Sequence, residues 1–420
     1  MLLNKTKFYT ALFVIVILLQ LYLTSFKANI FIQIFILGVF FFFEKPIISK
    51  SFLKTILPII GLFMLGFVGT IIHRYSLFTI SKDIFHFLKP LLGILIGYLF
   101  YSKIKNFKIF VQTIVICGLI SAIIHFMVLL LTGNILTGSI NSIREFGKDN
   151  FLELFALFFI GYYQRFQNEK LFVNKIFRNT VLFILLLSTI FYFSRTMMVV
   201  AIIMLLSIYG FTYITRKSIK LIVAIVGMLI LFYAYLFSIK LERNKPGIET
   251  FLFKIKIAPA ELFKTKIDRE NHKDLWDHWR GYEAKRALAL MNENPTSYIF
   301  GNGYGSLVNL KFKAPLNGEE GLKFISELHN GYPYILYKTG TIGLLIYLLF
   351  LFNLYKIIYR KNQSKFLLIF ISAIGAIYFF TTLTITGIYN GRDIIIFILG
   401  ALLYFVGKPM NNNNHIDGKA

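Results

Sequence analysis

Charged residues are scarce in this sequence of 420 residues, of which they make up only 15%. A soluble domain usually carries closer to a quarter, so the composition excludes an ordinary soluble globular protein. Hydrophobic residues make up 57%, and apolar runs of about 18 or more residues recur, each long enough to cross a bilayer of roughly 30 Å. The runs do not alternate as the strands of a membrane barrel do. The sequence therefore predicts an all-α polytopic membrane protein.

Cysteine and acidic residues are also scarce. Cys117 is the single cysteine, which excludes a disulfide within the chain. Only 20 acidic residues stand against 45 basic ones, and the net charge is +25. Such a balance can indicate nucleic-acid binding, but the Lys and Arg residues form short clusters between apolar runs, as the positive-inside rule expects. We therefore expect membrane lipids as partners and no nucleic acid.

The apolar runs predict about 12 transmembrane helices. In chain order they cover residues 8–26, 29–43, 55–72, 86–102, 109–132, 151–164, 179–193, 197–214, 219–239, 334–357, 366–386 and 393–407. The run from 180 to 213 is divided in two because a single helix of this length would be about 50 Å long. The two short helices are predicted to turn at Arg195 on the outer side of the membrane.

Alternate connections between these helices differ in positive charge. One set carries clusters of Lys and Arg, at 5–7, 45–54, 103–108, 165–178, 216–220 and 360–365, whereas the opposite set carries isolated cations. The cation-rich set is predicted to be cytoplasmic, which puts both termini inside and residues 241–331 outside. The predicted division is nine transmembrane helices in 1–240, one large outer loop in 241–331, three transmembrane helices in 332–407, and a disordered cytoplasmic tail in 408–420.

The predicted outer loop holds most of the polar chemistry of the chain. It contains twelve of the twenty acidic residues and both tryptophans. His329 stands at its end, directly before the next apolar run, and could act as a general base because the pKa of histidine lies near working pH. The alternative is an ordinary loop histidine.

A helix is predicted inside this loop over residues 277–291. Asp277 is the expected cap, Arg280 falls in the first turn, and Glu283 and Arg286 are three residues apart, where opposite charges support a helix. Pro295 follows the end of the predicted helix, as is common after a helix C-terminus.

Three arginines on the predicted outer side suggest a phosphate or pyrophosphate ligand: Arg144, Arg195 and Arg280. The planar guanidinium pairs well with phosphate oxygens, and Arg195 is flanked by apolar runs, where a charge is costly without a partner. The alternative is interfacial snorkelling of long side chains. Three further charged residues near the fourth predicted helix could line a pocket or mark the membrane interface: Lys82, Asp83 and Lys89.

Two other patterns predict no cofactor. His272, Asp274, Asp277 and His278 have no compact metal-ligand spacing, and a solvated loop explains them better. The glycines in 301–305 lack the strand–turn–helix context of a dinucleotide site and predict a turn. We therefore expect neither a metal nor an organic cofactor.

Taken in chain order, several short motifs resemble the O-antigen ligase and polymerase superfamily of bacterial envelope glycosyltransferases. The matching features are Arg144 before a span, Phe193-Ser194-Arg195-Thr196 between two spans, Trp279-Arg280-Gly281-Tyr282-Glu283-Ala284 followed by Asn294-Pro295 and Gly301-Asn302-Gly303-Tyr304-Gly305, and His329-Asn330-Gly331-Tyr332 followed by Gly340-Thr341-Ile342-Gly343-Leu344. The order of the motifs and the single large outer loop make this resemblance more specific than any one motif.

The resemblance implies a GT-C-like membrane fold and a metal-independent, inverting glycosyltransferase in the bacterial inner membrane. Its donor would be a glycan on undecaprenyl pyrophosphate, and its acceptor a hydroxyl of a lipid or glycan at the outer face. His329 would be the base or would position the acceptor. Arg144, Arg195 and Arg280 would hold the pyrophosphate, with Asn330 and Lys89 as possible supporting residues.

Within this superfamily, a ligase attaches the glycan to lipid A–core in lipopolysaccharide biosynthesis, and a polymerase attaches it to another repeat unit of a cell-envelope polysaccharide. One dominant outer loop favours the ligase. A transporter or flippase for lipid-linked sugars is an alternative of another class. Transporters place polar groups at mid-bilayer, and few are apparent in this sequence.

Overall fold

The computed structural model describes residues 4–132, 151–167, 169–192, 194–242, 248–264, 266–268, 271–316, 321–361 and 363–407. Arg144 and the predicted tail 408–420 lie outside these residues. Within the described residues there are sixteen α-helices and one two-stranded antiparallel sheet. The chain is therefore almost entirely helical, as the apolar runs predict.

The first nine helices precede the predicted outer loop. They are α1 (Lys5–Tyr22), α2 (Phe26–Phe43), α3 (Lys50–Ile72), α4 (Leu77–Ile104), α5 (Phe107–Leu131), α6 (Leu152–Gln167), α7 (Lys175–Phe191), α8 (Arg195–Ile208) and α9 (Arg216–Ser238). The interruption between α7 and α8 falls where the run from 180 to 213 was predicted to break. Ser194 caps α8 by accepting a hydrogen bond from the backbone N–H of Met197.

Residues 241–331 contain regular structure rather than an open loop. This segment holds α10 (Ile248–Phe263), α11 (His272–Asp277), α12 (Trp279–Glu293), α13 (Ser297–Phe300), β1 (Val308–Ala314) and β2 (Leu322–Ile325). The two strands pair with Val308 opposite Ile325 and Ala314 opposite Leu322. The chain then continues into α14 (Gly331–Lys356), α15 (Lys365–Thr384) and α16 (Ile395–Val406).

Of the described helices, eight are long and apolar enough to cross a membrane: α1 to α5, α9, α14 with the helical turn that follows it, and α15. Two shorter helices, α8 and α16, are also apolar. Each predicted transmembrane segment overlaps one of these ten helices, or α6 or α7. The helical, multi-pass membrane class is thus confirmed, whereas the count of twelve spans and the sidedness stay predictions.

The centre of the bundle is the contact between α4 and α16, with α14 packed between α3 and α15. Glycines allow α4 and α16 to approach backbone to backbone. A Cβ atom at Gly97 would lie 2.2 Å from the carbonyl oxygen of Phe397, and one at Gly400 would lie 2.1 Å from that of Ile94. Since these separations are far below van der Waals contact, larger residues there would force the two helices apart.

A break in α14 connects the bundle to the segment 241–331. Gly340 has φ 69° and ψ −173°, which is not helical and favours glycine. Just before the break, the carbonyl oxygens of Tyr337 and Lys338 accept hydrogen bonds from the backbone N–H groups of Asn302 (2.8 Å) and Gly303 (3.0 Å). The glycine-rich turn 301–305 is therefore bound by backbone atoms of a membrane helix, which gives these glycines a structural role.

The turn 301–305 also contacts α3 through Tyr304 and a buried ion pair between Asp83 and Lys338 through Gly305. Tyr304 is fully buried, and its hydroxyl donates to the carbonyl oxygen of Phe63 in α3 at 2.8 Å. Asp83 in α4 accepts from the backbone N–H of Gly305 (2.7 Å) and pairs with Lys338, and both of these side chains are fully buried. Breaking such a buried pair by removing one partner commonly costs about 3–5 kcal/mol, so this contact fixes the segment against α4 and α14.

The predicted sidedness can be tested with single cysteines at exposed positions. Cys117 is buried and can be replaced by serine as a precaution, while Lys285 in α12 and Lys217 in α9 are exposed. We expect an impermeant thiol reagent to label Lys285→Cys in intact cells, or in spheroplasts where an outer membrane blocks the reagent. Lys217→Cys should react only after permeabilisation. Labelling of Lys217→Cys in sealed cells would contradict the orientation.

Candidate active site

Arg195 and Arg280, which the sequence predicts to act together, meet at one carboxylate. Glu261 lies near the end of α10. Its carboxylate oxygen Oε1 is 3.2 Å from Nη2 of Arg195, and its Oε2 is 2.9 Å from Nη1 of Arg280. The Glu261 side chain is only 11% exposed. Arg195 also donates to the backbone oxygen of Lys254. Two guanidinium groups from distant parts of the chain therefore converge on a single anionic group.

Arg280 and Glu283 lie one turn apart on α12, so both project from neighbouring positions of the same helix. The Glu283 side chain is 1% exposed and accepts two hydrogen bonds from His329. One comes from the backbone N–H at 2.9 Å, and the other from ring atom Nδ1 at 3.0 Å. Helix α12 thus places the paired arginine beside a histidine–carboxylate dyad.

His329 is held by its Nδ1 atom, yet its side chain remains 55% exposed. The hydrogen bond and the negative charge of Glu283 raise the pKa of His329 above its ordinary value, against the opposing effects of burial and of the Arg280 charge. The Glu327 charge acts in the same direction as Glu283.

Glu327 links this region to the membrane helix α4. Its carboxylate lies 2.9 Å from Nε2 of His86 and 3.3 Å from Nζ of Lys82. Burial would raise the pKa of Glu327, but the hydrogen bond from His86 and the charges of His86 and Lys82 outweigh it and lower this pKa to about 2. Glu327 is therefore ionised at neutral pH and anchors the segment that carries His329.

The two predicted supporting residues have different positions. Asn330 caps α14 by accepting a hydrogen bond from the backbone N–H of Tyr332 at 3.2 Å, and so fixes the helix start beside His329. Lys89 is fully buried in α4 and donates to the backbone oxygen of Asn390, which lies between α15 and α16. On α4, Lys89 lies one helical turn after His86. Its side chain binds the connection between α15 and α16.

Two details of the predicted helix 277–291 are wrong. Asp277 is the last residue of α11, and α12 begins at Trp279 with His278 at the capping position but without a side-chain capping bond. Arg286 Nε donates to the backbone oxygen of Asn309 in β1 at 2.9 Å, whereas Glu283 accepts from His329. Tertiary contacts have replaced the local pairing that sequence spacing alone suggested.

Two of the four residues considered as metal ligands, Asp274 and His278, pair with each other within the fold. Asp274 accepts from the backbone N–H of Asp268 (2.7 Å), and its carboxylate lies 3.1 Å from Nζ of Lys264 and 2.9 Å from Nδ1 of His278. The bond from Asp268, with the charges of His278 and Lys264, lowers the pKa of Asp274 despite its burial. Among the described residues, no group of three or more histidine, cysteine, aspartate or glutamate side chains is arranged to hold a metal ion.

Sequence reasoning missed three acidic partners in this site: Glu261, Glu283 and Glu327. All three lie in the segment that the sequence marked as unusually acidic, which is the available signal. Nothing in their spacing identifies Glu261 as the partner of Arg195, because the two lie 66 residues apart in the sequence. The position of Glu283 three residues before Arg286 was noted, but its partner His329 was not.

Comparison with known families supports the motif assignment. The family model described as O-antigen ligase matches residues 180–348, a range that includes Arg195, Glu261, Arg280, Glu283 and His329. No curated protein and no solved structure matches the chain. This match over residues 180–348 supports the resemblance of the chain to the superfamily of O-antigen ligases and polymerases.

Proposed function

We propose that this protein transfers a glycan from undecaprenyl pyrophosphate to an acceptor hydroxyl at the outer face of the bacterial inner membrane. The observation that carries the proposal is the arrangement on α12, where Arg280 and Glu283 are one turn apart and contact Glu261 and His329 respectively. An anion-binding pair and a polarised histidine are the two chemical elements that such a transfer needs.

Arg195 and Arg280 bind the pyrophosphate of the donor in this proposal. Their guanidinium groups hold a carboxylate between them, so the two can share one anionic group. A pyrophosphate offers more oxygen atoms and more charge for bidentate hydrogen bonds. Arg280 also stands in the first turn of α12, where free backbone N–H groups favour phosphate. Arg144 remains the third proposed ligand from the sequence.

His329 acts as the base in the proposed reaction. With Nδ1 bound to Glu283, Nε2 accepts the proton of the acceptor hydroxyl as its oxygen attacks the anomeric carbon. The bond from that carbon to the pyrophosphate oxygen breaks on the opposite side, so the configuration inverts. Undecaprenyl pyrophosphate leaves with the bonding electrons, and the arginines stabilise the negative charge that grows on it. The positive charges of the arginines do the work of a metal ion, so we propose that the reaction is metal-independent.

The proposed role of Glu283 gives a pH-dependent prediction. Because His329 must be neutral to accept a proton and its pKa is raised above 6.5, the rate should increase with pH through an apparent pKa above that value. Glu283→Gln removes the main cause of this raised pKa and leaves only the smaller effect of the Glu327 charge against the opposing effects of burial and the Arg280 charge. We expect the increase to move to lower pH and the maximal rate to fall.

The measurement is the pH profile of kcat/KM for purified wild type and Glu283→Gln. Glu293→Gln is the matched control, since Glu293 is exposed at the end of the same helix. An unchanged profile in Glu283→Gln would show that Glu283 does not set the ionisation of the catalytic base.

Within the superfamily we propose the ligase reaction, with lipid A–core as acceptor. The support is a single long segment outside the predicted membrane helices, residues 241–331, which holds Glu261, Arg280, Glu283 and His329. A polymerase of repeat units is the alternative. Deletion of the gene distinguishes them: loss of a ligase leaves long glycan chains unattached to the lipid core, whereas loss of a polymerase leaves single repeats attached.

One observation favours the other class, a flippase that moves the lipid-linked glycan without breaking it. Helices α5 to α7 enclose a polar cluster in which buried Glu153 accepts from Ser121 (2.7 Å) and Tyr192 (2.9 Å), and His125 Nδ1 lies 2.8 Å from the hydroxyl of Ser188. Polar groups inside a membrane often mark a transport path. The two functions differ in whether the glycosidic bond of the donor is cleaved.

A further inference from the structure

A polar cavity lies between α3 and α14, away from the candidate active site. It has a volume of about 370 Å³ and is lined by Lys54, Thr55, Asn353, Lys356, Tyr359 and Arg360. We call it the cationic cavity. A volume of this size lies within the range of small-molecule sites, which is roughly 300–1,000 Å³.

The cationic cavity is at the opposite end of the bundle from His329. Helix α14 begins at Gly331, two residues after His329, and reaches the cavity at Lys356. Its 26 residues correspond to about 39 Å at roughly 1.5 Å per residue. The cavity is therefore too distant to be part of the site that holds Arg280 and His329. The charge pattern predicts that this end of the bundle faces the cytoplasm.

Three positive charges face the cavity without an acidic neighbour in its lining. In the described part of the chain, no carboxylate forms an ion pair with Lys54, Lys356 or Arg360. Like charges brought together in one recess repel each other, and a bound anion would relieve that repulsion. The three side chains are themselves exposed, but they line one concave surface.

The remaining lining groups suit the oxygen atoms of a phosphate. Asn353 contributes an amide and Tyr359 a hydroxyl, and both can donate hydrogen bonds. Arg360 is within 3.4 Å of the Ser51 hydroxyl in the first turn of α3, which holds the guanidinium beside that helix. The positive-inside rule explains cations on this face, but it does not explain their convergence with polar donors on one cavity.

We propose that the cationic cavity binds a phosphate-bearing anion. Two sources share this chemistry: the headgroup of an anionic lipid in the adjacent leaflet, and a free phosphate compound in solution. Basic pockets between membrane helices on the cytoplasmic side are suited to anionic headgroups, and arginine supplies paired donors to phosphate oxygens. The proposal does not depend on the transfer reaction.

The test uses two triple variants with the same change in charge. The cavity variant is Lys54→Gln, Lys356→Gln and Arg360→Gln. The matched control is Lys217→Gln, Lys220→Gln and Arg216→Gln, which removes two lysines and one arginine from exposed positions at the start of α9, on the same predicted face. Both variants are compared with wild type as full-length purified chains, after their thermal unfolding has been measured.

The first arm measures the preference of the protein for anionic lipid, and the second measures its stabilisation by free phosphate. In nanodiscs of phosphatidylcholine with a minor fraction of phosphatidylglycerol, native mass spectrometry counts the anionic lipids that remain bound after extraction. In the second arm, the midpoint of thermal unfolding is followed as inorganic phosphate is added. We expect the cavity variant to lose at least about tenfold in affinity for the anion, while the control stays within a few-fold of wild type.

The pattern of results identifies the source. Selective loss of phosphatidylglycerol from the cavity variant supports a lipid headgroup. Selective loss of stabilisation by phosphate, with no lipid preference, supports a free phosphate compound. If the cavity variant and the control behave alike in both arms, the cavity is not an anion site and its cations serve only the orientation of the chain in the membrane. Neither arm requires active enzyme, so failure of the transfer proposal would leave this result interpretable.

Discussion

Replacement of His329 by alanine is expected to lower glycan transfer by about 10²–10⁴-fold while binding of the lipid-linked donor stays near that of wild type. The reason is that different residues carry the two tasks. His329 is bound to Glu283 and its side chain is 55% exposed, whereas Arg195 and Arg280 hold the Glu261 carboxylate. The measurements are the transfer rate at saturating donor and the donor affinity, made on the same purified preparation.

The matched control is His278→Ala. His278 belongs to the same segment and pairs with Asp274 rather than with a proposed catalytic group, so its loss should leave transfer near wild type once folding is confirmed. Near-normal transfer in a well-folded His329→Ala variant would make His329 an ordinary loop histidine, which is the alternative that its position in the sequence left open.

Loss of the arginine pair is expected to abolish donor binding as well as transfer. Arg195→Lys keeps the charge but loses the planar fork, so its turnover should fall well below wild type. Arg195→Ala and Arg280→Ala should each weaken donor binding. Because both arginines contact the one Glu261 carboxylate, the double variant should cost less than the sum of the single losses, as expected of residues that act as one unit.

The design must separate donor binding from folding. Removing both arginines leaves Glu261 nearly buried without these partners, and an uncompensated buried charge destabilises a protein. The double variant is therefore also made with Glu261→Gln, which removes that charge. Arg286→Lys is the matched control for Arg195→Lys. Within the described residues, the one hydrogen bond that Arg286 donates goes to the backbone oxygen of Asn309. Full activity in Arg195→Lys, or strictly additive losses, would argue against a shared clamp.

The membrane helices could be predicted, and the candidate site residues proposed, because both leave local signals in the sequence. A long apolar run is visible without knowledge of its neighbours, and so is an arginine between two such runs. His329 was recognisable by its place at the end of the acidic segment. Arg195 and Arg280 were predicted to bind pyrophosphate together; the structure brings both to the Glu261 carboxylate, and their role at a pyrophosphate stays a prediction.

The partners could not be predicted because they depend on packing between distant segments. Glu261 reaches Arg195 only through the placement of α10, and Glu283 meets His329 across 46 residues of sequence. The need for glycine at position 340 also depends on packing between distant segments. Its non-helical backbone is understandable only beside the turn 301–305, whose N–H groups bind the carbonyl oxygens just before the break. Local spacing suggested a pairing of Glu283 with Arg286, which tertiary contacts replaced.

The most direct test of the proposed function is whether the purified chain cleaves the bond between glycan and undecaprenyl pyrophosphate. Wild type and His329→Ala are incubated in detergent with the lipid-linked donor and the acceptor, and both the released lipid pyrophosphate and the acceptor-bound glycan are quantified. Detergent removes the two sides of the membrane, so a flippase would leave the donor intact. We predict one undecaprenyl pyrophosphate released for each glycan joined, only when acceptor is present, and little of either with His329→Ala. Intact donor with folded, donor-bound wild type would contradict a transfer reaction.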